Sequence, residues 1–266
     1  MMKKKALPNN WRQVDAEAAV FFRDQLRNAR AAALRDAEDF QEAIFSLERL
    51  GRFRSGQGRG LGSYQPSLED LAMQSPLAAA LPNQCREYCI PFADLFGLIL
   101  EGRNSALHEG AFARHLTAHL VELAIILEDA LMANLDRIAH FMVKNPICAA
   151  DWQPLSIIRQ TMLESSFSFL PVFTDYRGKK EWWLISDFAL ATYLRARIGK
   201  DERARRLAQS LSDALQAGGL ELEEPRLCEP ADPISKVLDP PTTAPSLVVS
   251  PGKQDLIGII TAFDVL

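Results

Sequence analysis

Cysteine is scarce in this chain, four in 266 residues. Cys85, Cys89, Cys148 and Cys228 form no C-x-x-C pair, and a chain of this length needs no disulfide staples. Reduced thiols and a cytoplasmic setting are therefore expected. Positive charge is not in excess either: 30 Lys and Arg against 34 Asp and Glu leave a net −4. That excludes a global basic field for nucleic acid, so any RNA or DNA contact needs a local basic patch. No run approaches the roughly 18 apolar residues of a membrane span. The basic start "MMKKKALPNNW" is followed by no apolar signal segment. The stretch "RFRSGQGRG" is rich in Gly and Arg but lacks the closing G-K-[ST] of a P-loop. What is there is globular: 48% of the residues are hydrophobic, enough for one or two domains with a substantial core.

From about Trp11 to Arg52 the chain is rich in Ala, Leu, Glu and Arg and free of Pro and Gly until Gly51, which predicts one or two helices. Phe40, Ile44, Leu47 and Leu50 recur at helical spacing as a buried stripe. "RFRSGQGRGLGSYQPS" then reads as a flexible basic loop. Shorter helices are expected near Ser67–Met73 and Cys89–Leu100. A long helix from about Asn104 to His140 follows, apolar along Leu116, Leu120, Leu123 and Leu131. At Pro146 the pattern changes. The short β-type runs "SFLPVF", "WWLIS", "PSLVVS" and "LIGIIT" alternate with helical segments, an α/β pattern. The expected architecture is two domains: an all-α bundle over residues 1–140 and an α/β module over 141–266.

The second half contains an internal repeat. Each copy runs through a helix, a short strand near a Pro, a turn with Gly and a strand ending in a hydroxyl residue. The copies are "PLSIIRQTMLESSFSFLPVFTDYRGKKEWWLISDFAL" and "PISKVLDPPTTAPSLVVSPGKQDLIGIITAFDVL", separated by a charged helical segment at Gly199–Gly219. This repeat resembles a tandem pair of cystathionine-β-synthase-type (CBS) regulatory domains over about Phe141–Leu266, with "GIITAFDVL" its most specific part. The resemblance implies an adenine nucleotide (AMP, ADP, ATP or a relative) as regulatory ligand. Thr261 and Asp264 would match the residues that meet phosphate and ribose. A carboxylate can accept hydrogen bonds from both ribose hydroxyls. In the first copy Ser186 is present but Ala189 stands where the acid would be, and Asp187 is displaced, so one competent site is expected. The alternative is a ligand-free dimerisation platform in which Asp264 caps a terminal helix.

In the first half, "EGRNSALHEG" places Arg103, Asn104 and His108 at the expected start of the long helix. Residues five apart lie ~140° apart on a straight helix. The expected geometry therefore makes Asn104 the N-cap, with Gly102 permitting the incoming turn and Arg103 folding over the first coil. Arg, His and helix N–H groups together suit a phosphate. The stretch resembles the R-x4-6-H motif of HEPN domains, helical modules many of which are metal-independent endoribonucleases acting as dimers. The resemblance implies that His108 moves the proton, Arg103 stabilises the phosphorane and Asn104 orients His108 or the phosphate. Gly110 departs from relatives that carry a tyrosine there. The other meaning of these residues is a solvated helix start.

His115 and His119 share a helix face and could form a metal pair, but no acidic or Cys ligand is fixed beside them. Cys85-x3-Cys89 reads as core. The expected function is a nucleotide-regulated endoribonuclease with RNA as substrate, no catalytic cofactor or metal, no membrane contact and a homodimeric assembly. The alternative is a non-catalytic regulatory protein whose helical half dimerises or docks a partner.

Overall fold

The architecture is that of a computed structural model, which describes residues 11–109, 113–195, 199–240, 242–252 and 255–266, with side chains described outside 104–109 and 113. The chain divides into two compact units, Met1–Leu135 and Asp136–Leu266.

The first unit is helical. Helix α1 (Ala16–Arg35) starts at Asp15, whose carboxylate accepts the Ala18 N–H at 2.8 Å, and buries Ala19, Phe22, Leu26, Ala29 and Ala33. That alternating spacing of three and four draws one apolar face. The chain breaks at Asp36 and resumes as α2 (Phe40–Ser55), so the first helical stretch is two helices. Helix α2 ends at Gly56, φ +68°, a left-handed cap that glycine adopts at little cost. The expected stripe of Phe40, Ile44, Leu47 and Leu50 is buried. Three shorter helices follow, α3 (Gln65–Ala72), α4 (Pro76–Ala79) and α5 (Leu81–Gln84). Helices α6 (Phe92–Glu109) and α7 (Ala113–Met132) complete the bundle. Between α1 and α7 the buried carboxylate of Glu128 receives Arg27 Nε at 3.3 Å and Arg30 Nε at 3.0 Å. No described helix is long and apolar enough to cross a membrane.

Two expectations are corrected in this unit. The long helix from Asn104 to His140 is instead the last part of α6, then α7, then a turn in which Leu135 N–H bonds back to Met132 O at 2.9 Å. The basic loop is also shorter than expected, because Arg52–Ser55 continue α2 and Gln65 and Pro66 already open α3. Arg54, expected in a solvated loop, is buried: it donates to Asp70 Oδ2 at 2.6 Å and to Ser67 O at 3.2 Å.

The second unit begins with α8 (Ile138–Phe141), whose Ile138 and Ala139 N–H groups donate to Asp232 O and Pro230 O at 3.0 and 2.9 Å. The sequence places the junction at 140; the compact units divide after Leu135. Strand β1 (Val143–Lys144) leads into the first copy of the repeat, which α9 (Leu155–Ser165), β2 (Phe169–Tyr176), β3 (Lys179–Ser186) and α10 (Asp187–Arg195) carry. The charged segment forms α11 (Lys200–Ala208) and α12 (Leu211–Ala217). Strand β4 (Arg226–Cys228), α13 (Ser235–Leu238), β5 (Ser246–Val249), β6 (Leu256–Ile260) and a 3-10 turn at Ala262–Val265 carry the second.

The two copies have one plan. In the first, Ala149 bridges Val172 in parallel, and β2 pairs antiparallel with β3 around a turn in which Arg177 and Gly178 both have positive φ. In the second, β4 pairs in parallel with β5, and β5 antiparallel with β6. The copies also exchange their lead-in segments. Strand β1, which precedes the first copy, pairs with β6 of the second. Glu223, which precedes the second copy, exchanges two hydrogen bonds with Leu184 of β3, at 2.9 and 2.8 Å. Neither copy's set of strands is complete without the other, so the pair is one module.

Candidate functional site

Ser186 and Thr261 hold equivalent stations. Ser186 is the last residue of β3, and Thr261 directly follows β6. A hydroxyl at the end of a strand that runs into a helix is placed to accept an orphan N–H. Ser186 is buried and does so, its Oγ accepting the Ala189 N–H at 3.2 Å at the head of α10. Thr261 opens the terminal 3-10 turn with a capping box. Its N–H and its hydroxyl both donate to Asp264 Oδ2, at 2.7 and 2.8 Å.

The capping role named as the alternative for Asp264 is therefore present. The first copy has no counterpart: Ala189 brings no acid, and the exposed Asp187 faces a groove between helices. The repeat therefore brings together Thr261 and Asp264 at one strand end, and Ser186 without a carboxylate at the other.

In the helical unit the expected geometry of Arg103, Asn104 and His108 is corrected. All three positions lie within α6, which began eleven residues before Arg103, so Asn104 is not an N-cap. The helix starts instead after Pro91, whose carbonyl accepts the Leu95 N–H at 2.9 Å. Arg103 and His108 are thus on one continuous helix, ~140° apart around its axis. Gly102 opens no turn. A Cβ there would stand 3.2 Å from Leu116 Cδ1, so its use is close packing of α6 on α7. The Arg103 guanidinium lies 3.5 Å from Glu48 Oε1 of α2 and lines a cavity of about 160 Å³ with Phe40, Ile44 and Phe45. The side chains of Asn104 and His108 lie outside the described residues.

His115 is exposed and His119 half-buried on α7; among the described residues no cluster of three His, Cys, Asp or Glu is placed to hold a metal. All four cysteines are free thiols, Cys85 exposed and Cys228 buried. Burial pushes the Cys148 and Cys228 thiols up from their ordinary value, which keeps them protonated. Tyr64 folds the Gly-rich loop over itself, accepting the Arg59 N–H at 2.6 Å and donating to Gln57 O at 3.1 Å. The structural part played by Arg54 and Tyr64 had no local signal in the sequence.

No family model matches this chain, and no curated protein matches it. Solved structures similar to it over the C-terminal half are CBS-pair proteins. One is CBSX2 from Arabidopsis thaliana, 17% identical over 49% of this chain and 91% of that one, at a TM-score of 0.36. CBSX2 in complex with AMP is similar at 17% identity, 49% and 93% coverage and a TM-score of 0.35. CbpB in complex with c-di-AMP is similar at 18% identity, 50% and 84% coverage and a TM-score of 0.35.

Proposed function

We propose that this protein is a nucleotide-responsive regulator: the repeated α/β unit takes an adenine nucleotide, and the helical unit carries the response to a partner. One observation carries the reading. Thr261 and Asp264 form a preset hydroxyl and carboxylate pair at the strand end of a module whose two copies exchange strands. A carboxylate already oriented by its own turn loses little entropy when it accepts ribose hydroxyls. Ser186 lacks that partner, so one nucleotide binds per chain. Binding controls the helical unit only through unequal affinity for two conformations. Calorimetry with AMP, ADP, ATP and an adenine dinucleotide tests the reading; one site of measurable heat is expected, and no heat from any of the four defeats it.

For the helical unit the geometry favours the docking role over RNA cleavage. Arg103 and the position of His108 fall in the last two turns of α6. Carbonyl groups there give the helix end a partial negative charge, which opposes a phosphate. Arg103 already has a carboxylate partner in Glu48. Phe21 and Phe45, both exposed on α1 and α2, supply the apolar surface for a partner or a second copy. Light scattering at micromolar concentration distinguishes the homodimer from the monomer that awaits another protein.

A further inference from the structure

The groove between α9, α10 and α11 has no part in the nucleotide reading. It encloses about 400 Å³, within the ~300–1,000 Å³ of small-molecule sites. Its floor is apolar, built from Met162 of α9 and Leu190 and Leu194 of α10, all buried. Its lip is apolar as well, and solvated: Leu163 is 62% exposed and Phe188 78% exposed.

The charge around this floor is positive. Arg159, Arg195 and Arg203 line the groove against the single carboxylate of Asp187. Among the described residues none of the three arginines has an ion-pair partner, and the neighbouring Glu202 is taken by Arg205 and Arg206. Among the described residues Arg203 Nε is buried with no hydrogen-bond partner. A buried donor left unmatched is costly, and an anion in the groove would satisfy it. The position of Arg203 is set by its helix. Arg206 stacks 4.6 Å from the Tyr193 ring centroid and donates to Tyr193 O at 2.6 Å, which clamps α11 onto α10.

We propose that this groove binds an amphipathic small-molecule anion, its acyl or aryl body on Met162, Leu190 and Leu194 and its carboxylate or equivalent acid on Arg203. The occupant is a small molecule because the volume suits one and because the buried Arg203 Nε belongs to a residue that lines the groove. The apolar body supplies most of the affinity by leaving water, and the arginines select the anion. The site is separate from Thr261 and Asp264, which do not line it.

The probe is anilinonaphthalene sulfonate, an aryl anion whose fluorescence rises in apolar surroundings, added to the full chain. Saturable binding at one site is expected, displaced by octanoate and not by octan-1-ol at the same concentration. Arg203→Gln should weaken the probe about tenfold, as expected for one lost charge-assisted bond. Leu163→Glu should weaken it further, with the melting temperature of both variants checked against wild type. Binding that persists undiminished in both folded variants overturns the proposal, as does displacement by the alcohol as readily as by the acid. So does competition by an acidic amphipathic peptide but not by octanoate. Failure of the probe to bind, with a dimer that Leu163→Glu splits, overturns it in favour of a second copy covering the groove.

Discussion

Thr261 gives its backbone N–H and its hydroxyl to the same oxygen of Asp264, at 2.7 and 2.8 Å. One carboxylate therefore closes the terminal turn and is proposed to hold a nucleotide sugar, and substitution can separate the two tasks. Asp264→Asn keeps an oxygen for Thr261 and loses the charge. It should leave stability within ~1 kcal/mol of wild type and weaken nucleotide binding about tenfold or more. Asp264→Ala should lose both, at ~0.5–2 kcal/mol of stability for the missing cap. Chemical denaturation and calorimetry on the two variants check this; equal nucleotide affinity in wild type and Asp264→Asn would remove the carboxylate from the site.

Arg103 meets Glu48 at 3.5 Å with both side chains partly exposed. Such pairs contribute ~0–1 kcal/mol. Arg103→Ala should therefore lower stability by no more than that, and should leave any RNA turnover in the preparation unchanged. His108→Ala should likewise leave RNA turnover unchanged. Cleavage of a defined single-stranded RNA by the purified protein, abolished by either substitution in a folded chain, would restore the ribonuclease reading.

Local pattern reached some of this molecule and not the rest. Phe40, Ile44, Leu47 and Leu50 could be placed on one face because helical periodicity needs only a short window. The strand ends at Ser186 and Thr261 could be matched because their neighbouring residues repeat in order. The strand exchange could not be read. β1 is two exposed residues and Glu223 makes a single bridge, so neither has an alternation to detect. Arg54 is held by Asp70 and by the carbonyls of Ser67 and Arg12, distant in sequence, and nothing near it distinguishes it from a solvated loop arginine. Asn104 misled because a good cap residue is also tolerated inside a helix whose start is set elsewhere, here after Pro91.

Gly51 and Gly97 both lie within helices, and the space around them predicts opposite results. A Cβ on Gly51 would stand 2.5 Å from Tyr64 Cβ, while one on Gly97 meets nothing within 4 Å. Gly51→Ala should force α2 away from the turn carrying Tyr64, at ~1–3 kcal/mol. Gly97→Ala should gain ~0.5–1 kcal/mol from the lower chain entropy of the unfolded state. Thermal melts of the two variants are the check; a stable Gly51→Ala chain would mean that α2 does not approach Tyr64 so closely.

Asp232 accepts the Glu229 N–H at 2.7 Å and the Lys236 ammonium at 2.6 Å, tying the turn before α13 to that helix. The hydrogen bond from Lys236, then that from Glu229, hold its carboxyl below the ordinary value of 3.8. A carboxyl depressed in the folded state contributes its full stabilisation above the unfolded value and loses it as pH falls through the folded one. Lys236 is raised from 10.5, chiefly by the same bond, so its share is present below that value and is lost as pH rises through the higher, folded value. Asp232→Asn retains an acceptor for Glu229 and removes the charge. It should be less stable than wild type at pH 7 by under ~1 kcal/mol, because the pair is largely solvated. The difference should close as pH falls below 3.8 and also at strongly alkaline pH. Denaturant melts across that range measure it, and a difference that stays constant with pH would show that the charge on Asp232 contributes nothing to the fold.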